Sequence, residues 1–387
     1  ELRKIDGVLL SGNAGKFETQ VMGMNITLDT PLHKKSPVNY MPKDSQVEYL
    51  GSCVGRATTK TDVRVTPISE DLVELCDSPN IYRGPKLFPE WYGFQACLSN
   101  LAIPAHPYPH DLLMVAVKDY KEPLIPLFQS ELWNGAKPLT TQENINGIPG
   151  LRFVDAIKLN TSAGVPLKGK KRDHIIEVID DNGDVRWREF DPKIMKEIER
   201  CEDLYREGQR AYCIAKGCKK DEILKKDKCR IFYGNSIVLT FLIRKYYLPI
   251  LRVLQMNPKL SECAVGINAH GPEWEEFHQH VTKFGMDRIF GGDYGKYDQK
   301  LPSQVILAAM RILIDFAKEC PGYTEEDIRV MEAMSGDVVF AYIAFNGDLI
   351  GLTEGTHISG NSLTVIINGI CGSLNLRCCY YSHHPVE

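Results

Sequence analysis

No run in this 387-residue sequence is both apolar enough and charge-free enough to cross a bilayer. The most apolar stretch, Ser236 to Leu254, carries Arg244 and Lys245 in its middle, and intramembrane charges of that kind are expensive. No secretory leader is expected from the chain's opening residues either. The twelve cysteines are scattered along the chain without the density of a disulfide scaffold, so reduced thiols in a cytosolic setting are expected. Charge of one sign is not in excess: 46 Lys+Arg stand against 50 Asp+Glu, a net of −4, which taken alone argues against a nucleic-acid partner. No repeat and no low-complexity tract occurs, and no HExxH motif. His270, His278 and His280 with Glu275 could suggest a metal-dependent hydrolase, but residues two apart cannot share a helix face. A structural zinc site from Cys378, Cys379, His383 and His384 suffers from adjacent cysteines that make poor tetrahedral spacing. The chain opens on Glu1 and stops at Glu387 directly after Ser382-His383-His384-Pro385, and both ends read as cut.

What is present is an ordinary globular composition, 43% hydrophobic and 25% charged, long enough for two or three domains. Residues 1 to 150 are punctuated by proline and read as an irregular, extended region with short β-like runs such as Val63-Arg64-Val65. Residues 188 to 210 carry Ile194, Ile198, Leu204 and Tyr205 at helical spacing. Val238 to Leu254 predicts a buried helix, and Glu273 to Phe284 a helix opened by Pro272. Arg288 to Asp293 predicts a short strand ending in an acid. Pro302 then opens a helix that Pro321 closes. Asn346-Gly347 between Val338–Phe345 and Leu349–Leu352 predicts a tight hairpin, and Ser359 to Arg377 a helix entered through the loop 353–358.

Three constellations can carry chemistry. In Asp293-Tyr294-Gly295-Lys296-Tyr297-Asp298, a carboxylate at a strand end beside Gly291 and Gly292 suits a hard cation that takes oxygen ligands, although a lone pair of aspartates five apart is also what a solvated turn looks like. In Ser359-Gly360-Asn361-Ser362-Leu363-Thr364-Val365-Ile366-Ile367-Asn368, Thr364 and Asn368 lie one helical turn apart and share a face. Capping and back-bonding are the plain alternative for such residues. The third is basic: seven positive charges against three negative between Lys216 and Arg230, and a second cluster at Lys168, Lys170, Lys171 and Arg172. Residues 151 to 230 carry a net +4, which leaves −8 for the remainder. The global average therefore hides a local positive region.

Taken in order, these features resemble a viral RNA-dependent RNA polymerase of the picornavirus-like supergroup, which includes marine and insect picorna-like viruses. Thr161-Ser162-Ala163-Gly164 is similar to motif G, and Lys220-Asp221-Glu222 through Lys228 and Arg230 to motif F. Asp293 with Asp298 is similar to motif A, and Ser359-Gly360 with Thr364 and Asn368 to motif B. Tyr49-Leu50-Gly51, Thr59-Lys60-Thr61 and Pro67-Ile68 resemble the index-finger region.

The resemblance implies an α/β (α+β) chain with the right-hand polymerase fold. Residues 1–47 would be an N-terminal linker or protease-proximal segment, 48–285 the fingers, and 286–387 a partial palm with an inserted fingers segment, the thumb being absent. Catalysis would rest on Asp293 and Asp298, with Asp293 and the Tyr294 carbonyl as ligands to two Mg²⁺ ions, or Mn²⁺ in their place. Arg230 would clamp the triphosphate, with Lys228 and Lys220 lining its entry. Asp298, Ser359, Thr364 and Asn368 would surround the ribose 2′-hydroxyl, a network that rejects deoxynucleotides by leaving its polar groups unpaired. Thr161, Ser162, Ala163, Gly164, Lys168, Lys170, Lys171, Arg172 and Gly360 would contact the template. Partners would be an RNA template and primer, nucleoside triphosphates, a viral protein primer and other replication proteins, at replication complexes in the host cytoplasm, with no membrane span in the chain itself.

The sequence departs from the family at one point: it contains no Gly-Asp-Asp. Gly347-Asp348 lies in the wrong hairpin, before motif B, so motif C is expected beyond Glu387 and the chain alone is expected to be inactive. Phe17-Glu18-Thr19-Gln20 before Val21 could be a protease junction or a plain loop. The rival readings are a non-catalytic RNA-binding fingers module, a reverse transcriptase, which would place a bulky aromatic near the Asp298 position, and the hydrolase already weighed.

Overall fold

Asn346-Gly347, the strongest turn signal in the sequence, closes a two-residue hairpin in which Phe345 faces Asp348. Asn346 at φ 57° and Gly347 at φ 101° adopt the left-handed backbone that such a turn demands. The hairpin sits at the centre of a seven-stranded sheet. The computed structural model describes residues 32–225 and 228–384, together with the backbone of two short strands at 16–18 and 25–27.

The strands are β1 (Lys16–Glu18), β2 (Asn25–Thr27), β3 (Val47–Ser52), β4 (Ile175–Ile179), β5 (Val185–Phe190), β6 (Ile214–Lys219), β7 (Ile231–Gly234), β8 (Tyr342–Phe345) and β9 (Asp348–Leu352). The helices that matter below are α1 (Phe94–Leu101), α2 (His110–Lys121), α3 (Pro192–Arg206), α4 (Ile237–Met256), α5 (Pro272–Thr282), α6 (Tyr297–Lys300), α7 (Ser303–Lys318), α8 (Glu325–Val339) and α9 (Thr364–His383). The large sheet runs β1-β2-β3-β9-β8-β6-β7, with β4 and β5 forming a separate ribbon. Neighbours are antiparallel except β6 and β8, which run parallel.

Side chains alternate across a strand, and the two faces of the sheet have different work. Ala215, Ile231, Tyr233, Ile343, Phe345, Ile350 and Leu352 turn toward α1, where Phe94, Leu98 and Leu101 cover them. Phe94 meets Phe345 edge to face, with centroids 4.7 Å apart. On the opposite face Ile214, Tyr342, Ala344 and Leu349 pack with Leu50 and Val165, so the loop holding Val165 lies flat on the sheet.

A helical layer forms the larger core. Ser236 caps α4 by accepting from the Leu239 amide at 3.2 Å, and α3, α7, α8 and α9 contribute to the same cluster. The two charges inside the apolar stretch are satisfied within the protein. Arg244 donates to Asn144 Oδ1 at 3.1 Å, to the Asn144 carbonyl at 2.9 Å and to the Asp155 carbonyl at 2.6 Å, and Lys245 pairs with Glu202 at 2.6 Å. Among the described residues no helix is long and apolar enough to cross a membrane. All twelve cysteines are free thiols.

Several expectations shift. Residues 188–190 end β5, and the helix of that region is Pro192–Arg206. Val338 and Val339 close α8 rather than opening β8. Val63 to Val65 forms no strand. Arg288 to Asp293 is not a strand either: a 3-10 turn at Met286–Arg288 leads into irregular backbone. A strand needs a ladder partner for its amides, and no described strand pairs with this segment, whose Phe290 stays 83% exposed. The helix expected from Ser359 begins at Thr364, because side chains capture the amides that would start it earlier. Leu363 N donates to Asn361 Oδ1 at 2.8 Å, and Gly360 N and Asn361 N donate to Thr364 Oγ1 at 3.1 and 3.2 Å. Within 1–47, two strands extend the sheet edge beyond β3. Thr19, Gln20 and Val21, weighed as a protease junction or a plain loop, lie outside the described residues, as do Lys226 and Asp227 of the basic run and residues 385–387.

Candidate functional site

The described part of the basic run forms the end of β6 and the loop leading to β7. Alternation sends neighbouring lysines in opposite directions. Lys219 is buried, its Nζ donating to the Leu87 carbonyl at 2.5 Å and the Pro89 carbonyl at 3.3 Å, while Lys220, Lys228 and Arg230 are exposed. Arg230 is not on the strand proper, although Lys220 N donates to its carbonyl at 2.9 Å and so continues the ladder by one bond. Its guanidinium clasps Glu222 in a two-pronged pair, Nε to Oε1 and Nη2 to Oε2 at 2.5 Å each, and Lys220 joins at 3.0 Å. The hydrogen bond from Arg230, with Lys220 adding to it, holds the Glu222 carboxyl down at about 2. Asp221 ties the loop to the 59–62 segment, accepting from Thr61 Oγ1 at 2.6 Å and the Asp62 amide at 2.7 Å. Arg83 and Leu224 exchange both backbone bonds. The Thr61 segment that resembles an index finger therefore does touch the segment that resembles motif F.

The loop at 161–172 is fixed to the start of α4. Ala163 and Gly164 are buried, the Ile237 amide donates to the Ala163 carbonyl at 2.8 Å, and a Cβ on Gly164 would meet the Asn235 carbonyl at 2.5 Å. Lys171 departs from its expected place in an open basic cluster. It is 7% exposed, and its Nζ donates inward to Thr161 Oγ1 at 2.7 Å and the Ser162 carbonyl at 2.9 Å; burial lowers its pKa. Thr161, Ser162, Lys168, Lys170 and Arg172 present themselves to solvent, with Arg172 also donating to Asn160.

Asp293 and Tyr294 are exposed at the end of the irregular segment. An exposed carboxylate followed by a backbone carbonyl is a hard-oxygen pair of the kind Mg²⁺ takes when water and phosphate fill the rest of its shell. Among the described residues no group of three or more His, Cys, Asp or Glu is arranged to hold a metal, and that includes His270, Glu275, His278 and His280 as well as Cys378, Cys379, His383 and His384.

Three residues beyond Asp293, the chain reverses through Lys296, at φ 57°, into α6. Asp298 is partly buried there, and burial raises its carboxyl pKa against the opposing pull of its own amide, the Gln299 amide and the Arg230 charge. Arg230 feels the same coupling in return. The residue expected at the ribose and the one expected at the triphosphate clamp thus share one field. The Asp298 carbonyl accepts from Thr356 Oγ1 at 2.7 Å, and Tyr297 donates its hydroxyl to the Asn368 carbonyl at 3.2 Å. Thr364 and Asn368 lie on one face of α9; Thr364 Oγ1 is occupied by the loop amides, while Asn368 Oδ1 is buried without a partner among the described residues. Ser359 is partly exposed and Gly360 exposed. Gly360 stands at φ 103°, and a Cβ there would meet the Tyr233 carbonyl at 2.0 Å, so the loop before α9 presses directly on β7.

Sequence reasoning placed Asp298, Arg230, Thr364 and Asn368 in one site but missed what joins them. Tyr297 sits inside the Asp293–Asp298 motif and Thr356 in the loop that enters α9, and both carry donors. Tyr233, whose hydroxyl lies 3.3 Å from Cys97 Sγ, had no such signal in the sequence. His357, 1% exposed with Nε2 unpartnered, is held neutral by burial, its pKa lowered to about 4.

A family model for viral RNA-dependent RNA polymerase matches residues 108–385. The genome polyprotein of Deformed wing virus is 27% identical over 372 residues, covering 91% of this chain and 12% of the polyprotein. The replicase polyprotein of Drosophila C virus is 26% identical over 259 residues, 62% of this chain and 14% of that one. The genome polyprotein of Avian encephalomyelitis virus is 30% identical over 250 residues, 62% of this chain and 11% of that one. The chain thus spans about an eighth of such polyproteins. Among solved structures, a Sicinivirus 3Dpol RNA-dependent RNA polymerase superposes with a TM-score of 0.61 at 17% identity, over 94% of this chain and 68% of that one. The mixed helix and sheet architecture is the right-hand polymerase fold.

Proposed function

The chain belongs to the viral RNA-dependent RNA polymerase family, with relatives among picorna-like viruses, and on that premise we propose that it forms the nucleotide-selecting and template-guiding part of a two-metal RNA polymerase. The observation that carries the reading is the meeting of three separate segments at Asp298: Arg230 through its charge, Thr356 through the 2.7 Å bond to the Asp298 carbonyl, and α9 through Tyr297 and Asn368.

Arg230, ordered by Glu222, would clamp the triphosphate, with Lys220 and Lys228 at its approach. Asp298 and the unpartnered Asn368 Oδ1 would receive the ribose 2′-hydroxyl, with Thr364 and Ser359 bounding the pocket; a deoxynucleotide would leave those groups unpaired. Thr161, Ser162, Lys168, Lys170 and Arg172 would follow the template backbone without reading bases. Asp293 and the Tyr294 carbonyl would hold Mg²⁺, or Mn²⁺ in its place, which when bound activates the primer 3′-hydroxyl and neutralises triphosphate charge. In this reading residues 48–285 act as fingers and 286–387 as part of the palm.

No Gly-Asp-Asp occurs in residues 1–387, so the second metal-binding acid is not among them, and by themselves they would bind nucleotide and RNA without extending a primer. That absence also favours the second reading, an RNA-binding fingers module without nucleotide chemistry. RNA template and primer, nucleoside triphosphates, a protein primer and other replication proteins are the partners that fit, at cytoplasmic replication complexes. Equilibrium binding of a fluorescent ATP to the chain with an RNA primer–template and Mg²⁺ separates the two readings. Arg230→Ala should weaken ATP by about tenfold or more, the worth of a charged two-pronged contact, with RNA affinity little changed. RNA binding with no ATP binding in the unaltered chain favours the module.

A further inference from the structure

One side chain of α1 braces the turn that carries Asp298. Asn100, on the last turn of that helix, donates Nδ2 to Gln299 Oε1 at 2.9 Å and to the Ala96 carbonyl at 2.8 Å, and its Oδ1 accepts from Lys296 Nζ at 2.8 Å. The orientation of the amide is forced. A carbonyl can only accept and an ammonium can only donate, so exchanging N and O would break the bonds to Ala96 and Lys296 together. Both amide hydrogens are thereby used.

The two residues it holds bracket Asp298, two positions before it and one after. Lys296 is in the left-handed region at φ 57°, which costs a side-chain-bearing residue about 1 kcal/mol and persists where neighbours fix it. The bond from Asn100 to the far end of the Lys296 side chain is such a fixture. Gln299 carries the linkage inward, its Nε2 lying 3.8 Å from Cys97 Sγ, and that sulfur lies 3.3 Å from the Tyr233 hydroxyl beneath the same site. Arg230 is secured differently, by Glu222, and its loop by Thr61 and Arg83. The sugar side and the phosphate side of the site therefore have separate supports.

Resting on the nucleotide-selecting reading above, we infer that Asn100 is a positioning residue for sugar discrimination: it sets the turn 296–299 so that Asp298 meets the ribose 2′-hydroxyl, while the triphosphate grip is independent of it. Asn100 does not touch the Asp298 carboxylate and acts only through its neighbours. A hydroxyl contact is sensitive to displacements of about an ångström, so loss of the brace should cost selectivity before it costs binding.

The test is equilibrium binding of fluorescent ATP and its 2′-deoxy counterpart to the 387-residue chain with Mg²⁺. In Asn100→Ala the ratio of ribo to deoxy affinity should fall about tenfold, the value of one charge-assisted hydrogen bond, with deoxy affinity unchanged. Lys296→Met removes the other end of the brace at an exposed site, without altering α1, and should give the same loss. Asn100→Asp keeps the acceptor for Lys296 but gives up both donated bonds, so its preference should fall between those of Asn100→Ala and the unaltered chain, a grading by the Lys296 bond that a merely structural role would not predict. A preference that survives in both Asn100→Ala and Lys296→Met, or an equal drop for both nucleotides, overturns the inference. A wild-type chain that binds nucleotide with no ribose preference instead condemns the sugar-selecting reading on which it rests.

Discussion

Thr356 donates its hydroxyl to the Asp298 carbonyl at 2.7 Å, which ties the loop entering α9 directly to the turn of α6. Two segments that sequence alone could only order in a row are thereby joined at the residue expected to recognise the sugar. Thr356 is buried, and Thr356→Val keeps its shape while leaving that carbonyl without its donor. The expected cost is about 1 kcal/mol of stability, read by urea unfolding, together with a lower ribo-to-deoxy affinity ratio. A ratio equal to that of the unaltered chain would separate the loop from sugar selection.

Gly360 makes the closest backbone approach in the site. Alanine there faces both φ 103° and a carbonyl at 2.0 Å from its Cβ, and steric conflicts of this kind cost about 2 kcal/mol or more. Gly360→Ala should lower the melting temperature and weaken nucleotide binding together, because the loop must withdraw from β7. Full nucleotide affinity with an unchanged melting temperature would show that the loop tolerates the shift.

The basic cluster at 168–172 divides into two kinds of lysine. Lys168→Ala and Lys170→Ala should each flatten the salt dependence of RNA affinity by about 0.7 in log–log slope, the value for one lost phosphate contact on a single strand. Lys171→Met should leave the slope alone and instead destabilise the fold, since its Nζ is tied to Thr161 and Ser162. A slope change in Lys171→Met would return it to the template-contacting set.

The Arg230–Glu222 pair has a defined pH window. Glu222 titrates at about 2 in the fold, against an ordinary value of 4.5, so it is depressed. Its contribution to stability is fully present above pH 4.5 and is lost as the pH falls through about 2. Carboxyl resonances followed by NMR should show this group titrating well below the other glutamates, and Arg230→Ala should return it toward 4.5. A normal Glu222 titration in the unaltered chain would mean the pair does not persist in solution.

Much of the fold was legible because its signals are local. Pro302 and Pro321 bracketed α7, the apolar run Val238 to Leu254 marked α4, and Asn346-Gly347 marked the hairpin. What stayed hidden depends on distant partners. The β3–β9 ladder joins segments about 300 residues apart, Val47 with Leu352 and Ser52 with Asp348 at its ends, and no local pattern announces it. Arg288 to Asp293 has strand composition but no described ladder to enter, so composition misled. Lys171 looked like its neighbours in sequence, and only packing shows that it points inward. The candidate site was legible as a set of side chains, whereas the braces between them, Thr356, Tyr297 and Asn100, come from geometry.

The central claim is that Asp298 reads the ribose of an incoming nucleotide, and the direct measurement is the affinity of the chain for ATP relative to 2′-deoxy-ATP, with Mg²⁺, before and after Asp298→Ala. The account predicts a clear ribose preference in the unaltered chain that falls toward unity in Asp298→Ala, with deoxy-ATP affinity little changed because Arg230 still holds the triphosphate. Equal preference in both proteins would contradict it.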